Sequence, residues 1–306
     1  MIGKVMIGTI YSDELRGGSG DDDIYGGAGV DYLSGGDGND FILGGADVDY
    51  INGDAGDDHL FGGEGNDSIT GGFGADILSG DDGDDYLIGS DGNFSDTSFD
   101  RLLGGAGNDT LWSISPGLLD GGSGIDTASI NRTNSAIGLK IDFTSPDRVQ
   151  TLADGTIITG IEIAGFAGGN GNDVIQGGNY GNVLYGGGGS DQLWGGAGID
   201  VIGGGAGKDR LVGGGGADVF TFSYGDNRDR IIDFVQGEDK IDLWHFTYAT
   251  FDKVLAATSR DATTGMVTID MSQFGGAPKD AIEILTDPSK PFAFTAADFS
   301  LFSWWT

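Results

Sequence analysis

The residues best able to do chemistry in this chain are aspartates that recur every nine residues. In a first run from 17 to 88 they are Asp22, Asp31, Asp40, Asp49, Asp58, Asp67, Asp76 and Asp85. Asp109 and Asp126 follow in looser copies, and Asp173, Asp191, Asp200, Asp209 and Asp218 in a second run from 168 to 221. Residues 17–88 hold 18 carboxylates and not one Lys or Arg. If successive copies stack, these acids share an edge, where like charges are costly and costlier still when desolvated. A hard divalent cation resolves that cost. Calcium accepts about six to eight oxygens, from carboxylates and backbone carbonyls, in flexible geometry; magnesium holds its waters and demands a stricter octahedron.

The repeat must supply the fold that brings these acids together. Its first copy is Gly17-Gly18-Ser19-Gly20-Asp21-Asp22-Asp23-Ile24-Tyr25. Eight copies run without a gap to 88, and six more from 168 to 221. Between the runs lie an interrupted copy at 89–103 and single copies at 104–112 and 121–129. Glycine at positions 1, 2 and 4 admits the positive φ of a tight turn. Position 8 is a lone aliphatic: Ile24, Leu33, Ile42, Ile51, Leu60, Ile69, Leu78 and Leu87 in the first run. Positions 7 to 9 are expected to form a very short strand, with position 8 facing inward. One aliphatic per nine residues is too thin a core for any copy alone, so the copies must stack. That strict aliphatic also argues against a disordered glycine-rich linker.

Composition excludes several classes. The chain has 306 residues, 62 of them Gly, with 48 acids against 15 Lys and Arg, a net charge of −33 and no Cys. So acidic a surface repels a phosphate backbone, so no nucleic-acid partner is expected. No apolar run is long enough for a membrane-spanning segment. Disulfides and thiolate metal sites are ruled out. The opening Met1-Ile2-Gly3-Lys4-Val5 lacks the pattern of a cleaved signal peptide.

Outside the repeats, 137–143 alternates like a strand, Asp154-Gly155-Thr156 reads as a turn and 161–163 as another short strand. From 222 onward glycine thins and aromatics rise. Strands are expected at 230–234, 240–243, 267–269 and 282–285, and a helical turn or two at 251–257.

The pattern Gly-Gly-x-Gly-x-Asp-x-aliphatic-x resembles the calcium-binding repeat of RTX (hemolysin-type) proteins. Fourteen in-phase copies make the resemblance highly specific over 17–130 and 168–221. It implies an all-β fold: a right-handed parallel β-roll in which successive copies alternate between two sheets. It also implies that each position-6 aspartate, with carbonyls of the glycine turns, binds Ca2+; this carries over to the fifteen aspartates named above. Asn182 replaces the acid in one copy, weakening that site. Asp47 at position 4, and Asp54 and Asp81 at position 2, replace glycines, although Asp tolerates left-handed geometry better than most residues. The extra residues 94–99 cast doubt on a regular site before Asp100. The end of the chain resembles the serralysin-type cap, through Asp218-Val219-Phe220, Ile231-Ile232-Asp233-Phe234 and Asp239-Lys240-Ile241-Asp242-Leu243. Thr295-Ala296-Ala297-Asp298-Phe299 resembles a type I secretion signal, departing from it by running on to Trp304-Trp305-Thr306. The expected organisation is an N-terminal cap at 1–16, a first roll at 17–130, a strand-rich spacer at 131–167, a second roll at 168–221, and a cap with secretion signal at 222–306.

No enzyme is expected. The repeats begin at 17, leaving no room upstream for a catalytic domain. The two histidines, His59 and His245, form no His-Glu-x-x-His, and there is no Gly-x-Ser-x-Gly. Residues 203–208 resemble a phosphate loop only superficially, because no Ser or Thr follows Lys208. If copies alternate between sheets, apolar residues line up on the outer faces: Tyr25, Leu43 and Phe61 beside Phe41, then Tyr32, Tyr50 and Tyr86, and Val183, Val201 and Val219 in the second run. Such stripes serve as contacts or as cross-strand ladders. The leading expectation is a secreted, extracellular scaffold (matrix, surface layer or filament), exported by type I secretion machinery and joined as a homo-oligomer or polymer. The alternatives are a monomeric adhesion module and the helper of a separate secreted enzyme.

Overall fold

The computed structural model describes residues 3–90, 97–243, 245–246 and 249–301. Trp304, Trp305 and Thr306, and part of the 94–99 insertion, lie outside the described residues. The chain folds as a parallel β-roll. Each copy pairs with the copy two before it and the copy two after it. Ile24 lies opposite Ile42, Ile42 opposite Leu60, and Leu60 opposite Leu78, so alternate copies build opposite sheets.

Contacts divide the chain into two compact units, Met1–Asn131 with Ser145–Ile163, and Arg132–Thr144 with Ala164–Thr306. In the first unit one sheet runs Val5–Ile7, Asp23–Ala28, Phe41–Ala46, His59–Glu64, Ile77–Asp82, Asp100–Ala106, Gly117–Ser123 and Ile157–Thr159, with Gln150–Thr151 antiparallel to its last strand. The facing sheet runs Glu14–Ser19, Tyr32–Asp37, Tyr50–Ala55, Ser68–Phe73, Tyr86–Ile88, Thr110–Ser113 and Thr127–Asn131. In the second unit the repeats continue the pattern; the later strands Arg228–Ile231 and Lys240–Asp242 pair parallel to them, and Ala281–Leu285 pairs parallel to Arg228–Ile231. Met266–Asp270 and Thr258–Arg260 turn back antiparallel, and the one short α-helix among the described residues is Phe251–Ala256.

Inside, the position-8 residues form two facing columns. Ile24, Ile42, Leu60 and Leu78 are fully buried on one sheet, and Leu33, Ile51, Ile69 and Leu87 are at most 3% exposed on the other. Each contributes the transfer energy of one aliphatic, about 1.5–3 kcal/mol. That is little to set against ordering nine residues. The strands are longer than the expected three residues. Most span six, because positions 1 to 3 of the next copy stay in the ladder, as Gly27 does opposite Gly45 and Ala28 opposite Ala46. The sharp turn is thereby confined to positions 4 to 6, where the aspartate sits.

Candidate metal centre

Every position-6 aspartate is held by one carboxylate oxygen and leaves the other facing a turn. Oδ1 accepts the backbone N–H of the residue one full coil earlier: Asp22 N–H donates to Asp40 at 2.7 Å, Asp40 to Asp58 at 2.7 Å and Asp58 to Asp76 at 2.9 Å. The second unit repeats this, with Asp173 donating to Asp191 and Asp191 to Asp209, both at 2.7 Å. These carboxylates are 0–3% exposed. In Asp22, Asp31, Asp40, Asp49, Asp58, Asp67, Asp85, Asp109 and Asp126, and in Asp173, Asp191, Asp200, Asp209 and Asp218, the buried Oδ2 has no hydrogen-bond partner. A buried acceptor left in that state is expensive, and a column of them could serve as ligands to a cation.

The space beside Oδ2 is shaped by the position-1 glycine. A Cβ on Gly53 would sit 2.3 Å from Asp58 Oδ2 and 2.5 Å from the Gly71 carbonyl oxygen of the next coil. On Gly17 the same distances would be 2.3 Å to Asp22 Oδ2 and 2.4 Å to Gly35 O, and on Gly195, 2.2 Å to Asp200 Oδ2 and 2.6 Å to Gly213 O. The missing side chain thus leaves a cradle walled by one carboxylate oxygen and one carbonyl. The three departures Asp47, Asp54 and Asp81 adopt φ of 75°, 72° and 71°, so they keep the left-handed backbone that glycine takes elsewhere.

Two positions show what the cradle attracts. At Asn182 an amide nitrogen replaces Oδ2 and donates to Tyr180 O at 2.6 Å, Gly195 O at 3.0 Å and Asp200 Oδ1 at 3.0 Å. Three oxygens therefore converge on that point. At the first turn the Lys4 ammonium donates to the Gly17 carbonyl, the position-1 carbonyl that faces the cradle elsewhere. Where the chain supplies a donor, the donor goes there. Calcium, which takes carboxylate and carbonyl oxygens alike, fits the remaining sites. Among the described residues no three acidic or histidine side chains converge on a point, so main-chain carbonyls would have to supply much of any ligand set.

Burial has a cost in charge. Desolvation pushes the carboxyls of Asp49, Asp58, Asp85 and Asp191 up to about 7, and those of Asp67, Asp126 and Asp173 up to about 6, against the pull of the backbone N–H each accepts. Neighbouring carboxylates add to the rise, as Asp67 and Asp31 do at Asp49. Asp31, Asp40, Asp109, Asp200, Asp209 and Asp218 are raised for the same first reason.

All fifteen sequence-derived aspartates occupy this one arrangement. It extends further than the sequence reading did. Asp100 stands in line despite the six-residue insertion: its Oδ1 accepts Asp76 N–H at 3.1 Å, and a Cβ on Gly89 would meet its Oδ2 at 2.5 Å. Asp13 begins the second column, donating its N–H to Asp31 at 2.7 Å, and the signal was available in Gly8 five residues before it. Glu162 closes that column by accepting Asp126 N–H at 2.8 Å, which no repeat frame foretells.

A family model described as the RTX calcium-binding nonapeptide repeat matches residues 7–42, 27–60, 34–69, 43–78, 61–93, 95–113, 167–202 and 194–228, together more than half of the chain. No curated protein matches in sequence. Among solved structures, the AlgE6R3 subunit from the Azotobacter vinelandii mannuronan C5-epimerase is similar at 28% identity and a TM-score of 0.34, over 42% of this chain and 77% of that one. The extracellular lipase LipA from Serratia marcescens is similar at 18% identity and a TM-score of 0.26, over 82% of this chain and 39% of the lipase.

Proposed function

The chain belongs to the RTX calcium-binding nonapeptide-repeat family, and from that premise we propose that it is a secreted protein that folds when calcium fills its turns and then serves as a non-catalytic extracellular scaffold. The carrying observation is the column of buried Oδ2 atoms without partners in a chain of net charge −33. The fifteen position-6 aspartates, with Asp100, would hold the ions together with turn carbonyls. Calcium supplies the positive charge that the stacked carboxylates lack. Cytosolic free calcium is too low to fill sites of the weak extracellular class, at about 10⁻⁴–10⁻³ M. The chain then stays unfolded and threadable for type I export, and metal binding outside becomes folding free energy.

The scaffold role rests on the outer faces. Tyr32 and Tyr50 stack at 4.9 Å, and both are about half exposed. On the other sheet Tyr25, Phe41 and Phe61 form a continuous ring cluster, at 5.8 and 5.4 Å between neighbours. Apolar stripes on an anionic surface are where copies can meet without charge repulsion. His245 lies 3.3 Å from Ser223 Oγ, and Asp226 Oδ2 accepts the Ser223 backbone N–H at 2.5 Å.

One observation favours a second reading, a monomeric binding module. Lys208, Arg210, Arg228, Arg230 and Lys279 gather around two hollows of the second unit, and the Arg210 guanidinium lies 5.3 Å from the Trp194 ring centroid. Such a patch suits an anionic partner. Sedimentation velocity during calcium add-back to chelated protein separates the readings. Compaction followed by growth into large species supports the scaffold, and a compact monomer at all concentrations refutes it. A chain that is fully compact in excess chelator refutes calcium-driven folding itself.

A further inference from the structure

The nine-residue frame ends at 221 and the family match at 228, but the coil does not. After two extra residues comes Tyr224-Gly225-Asp226-Asn227-Arg228-Asp229-Arg230-Ile231-Ile232. Of the repeat's signature it keeps only the second glycine, the aspartate and the inner aliphatic. Its backbone nevertheless follows the repeat. Gly225 has φ 90° and Asn227 φ 67°, the positive values that positions 2 and 4 need. Asn227 bridges Gly207, Arg230 lies opposite Arg210, and Ile231 lies opposite Leu211, each at the matching repeat position. Ile231 is fully buried in the same column as Leu211.

Asp229 falls where position 6 belongs. It is 1% exposed, and its Oδ1 accepts Asp209 N–H at 3.0 Å, as Asp209 Oδ1 accepts Asp191 N–H at 2.7 Å. Its buried Oδ2 has no partner, and neither has that of Asp209. No basic side chain on this strand is turned to it, since Arg228 and Arg230 are both clamped to Glu283, at 2.9 and 2.5 Å. Asp226 directs its own carboxylate to Ser223 instead. The turn is braced from outside by buried Asp280, whose carboxylate accepts N–H groups from Gly225 at 2.9 Å, Asn227 at 3.2 Å and Ala277 at 2.7 Å.

We propose that Asp229 and Asp209, with turn carbonyls, form one more calcium site beyond the recognisable repeats. This rests on the reading that the position-6 aspartates bind calcium. Its consequence is specific: the strand Arg228–Ile231 carries Ala281–Leu285 on its far edge, so this ion fastens the C-terminal strands to the roll. Burial, and the charge of Asp209 beside it, hold the Asp229 carboxyl well above the usual carboxylate range.

The test is the number of calcium ions bound by the full chain at saturation, measured by equilibrium dialysis for wild type, Asp229→Asn and Asp191→Asn. Asparagine is tolerated at this position of the coil, as Asn182 shows. The expected result is the loss of one ion by each variant. If Asp191→Asn loses an ion and Asp229→Asn does not, the extra site is refuted and the repeat sites stand. If neither loses one, the reading of the repeats fails and the extra site with it. Hydrogen exchange on the wild type needs no variant. Protection at 224–232 should rise with calcium in step with that at 204–212, and protection there indifferent to calcium overturns the proposal.

Discussion

A single methyl group at Gly53 tests whether the cradle is where the ion sits. Gly53 is not in the left-handed region, so Gly53→Ala leaves the backbone conformation affordable and isolates the Cβ. That Cβ would lie 2.3 Å from Asp58 Oδ2 and 2.5 Å from Gly71 O. Opening these to a tolerable carbon–oxygen contact of about 3.3 Å moves each oxygen by roughly 0.8–1 Å. The two oxygens belong to successive coils, and one is main chain, so neither can rotate away freely. Overpacking of this kind costs about 1–3 kcal/mol, which corresponds to about 5- to 150-fold in the affinity of that site. The control is Gly215→Ala, where an added Cβ meets nothing within 4 Å and φ is again not left-handed. It should leave binding unchanged and add about 0.4–1 kcal/mol of stability by restricting the unfolded chain. Calorimetric calcium titration gives the ion count and midpoint, and far-ultraviolet circular dichroism reports the folding. If Gly53→Ala and Gly215→Ala bind the same number of ions with the same midpoint as wild type, the cradle is not the metal site.

Two more perturbations follow from the same geometry. Asn182→Asp replaces a donating nitrogen by a second carboxylate oxygen, so it should add one ion at saturation while making the calcium-free chain less stable, because the amide bonds to Tyr180, Gly195 and Asp200 are lost; an unchanged ion count would contradict this. In chelator, lowering the pH should compact the chain. The folded carboxyls raised to about 7 bind protons that the unfolded chain, with aspartates near 3.9, does not, so stability rises as pH falls through the window from about 7 to about 4. Small-angle scattering showing no contraction across that window would refute it.

The aspartate ladder was legible because its signal is repetition. Asp58 alone says nothing, but eight acids in phase with eight aliphatics can satisfy one geometry only. Where phase was lost, reading failed. Asp100 sits eleven residues after Gly89 instead of five, and counting cannot see that the ladder resumes at Asp100 all the same. Asp229 was hidden because Asn227 takes the φ of a glycine and Tyr224 replaces one. The six-residue strands were missed for a related reason. Glycine is a poor strand former, so Gly27 and Gly45 read as turn, yet the neighbouring coils pair them as strand. The helix at Phe251–Ala256 and the strand Ala281–Leu285 were readable from ordinary local pattern.

A charge of −33 could be carried by solvated surface acids, and such a chain would need only diffuse counterions. The carboxylates that matter are not on the surface. They are 0–3% exposed, each tied by Oδ1 to the neighbouring coil, so they cannot swing out to water when no cation is present. A diffuse ion atmosphere does not reach a buried oxygen. Asn182 and Lys4 make the requirement local: each puts an N–H group where the other coils present bare oxygens. The proposed dependence on calcium would therefore belong to the stacking itself, coil by coil, and high monovalent salt that screens the surface should not replace it. If concentrated sodium chloride in chelator folds the chain as calcium does, buried site occupancy is the wrong account and surface screening the right one.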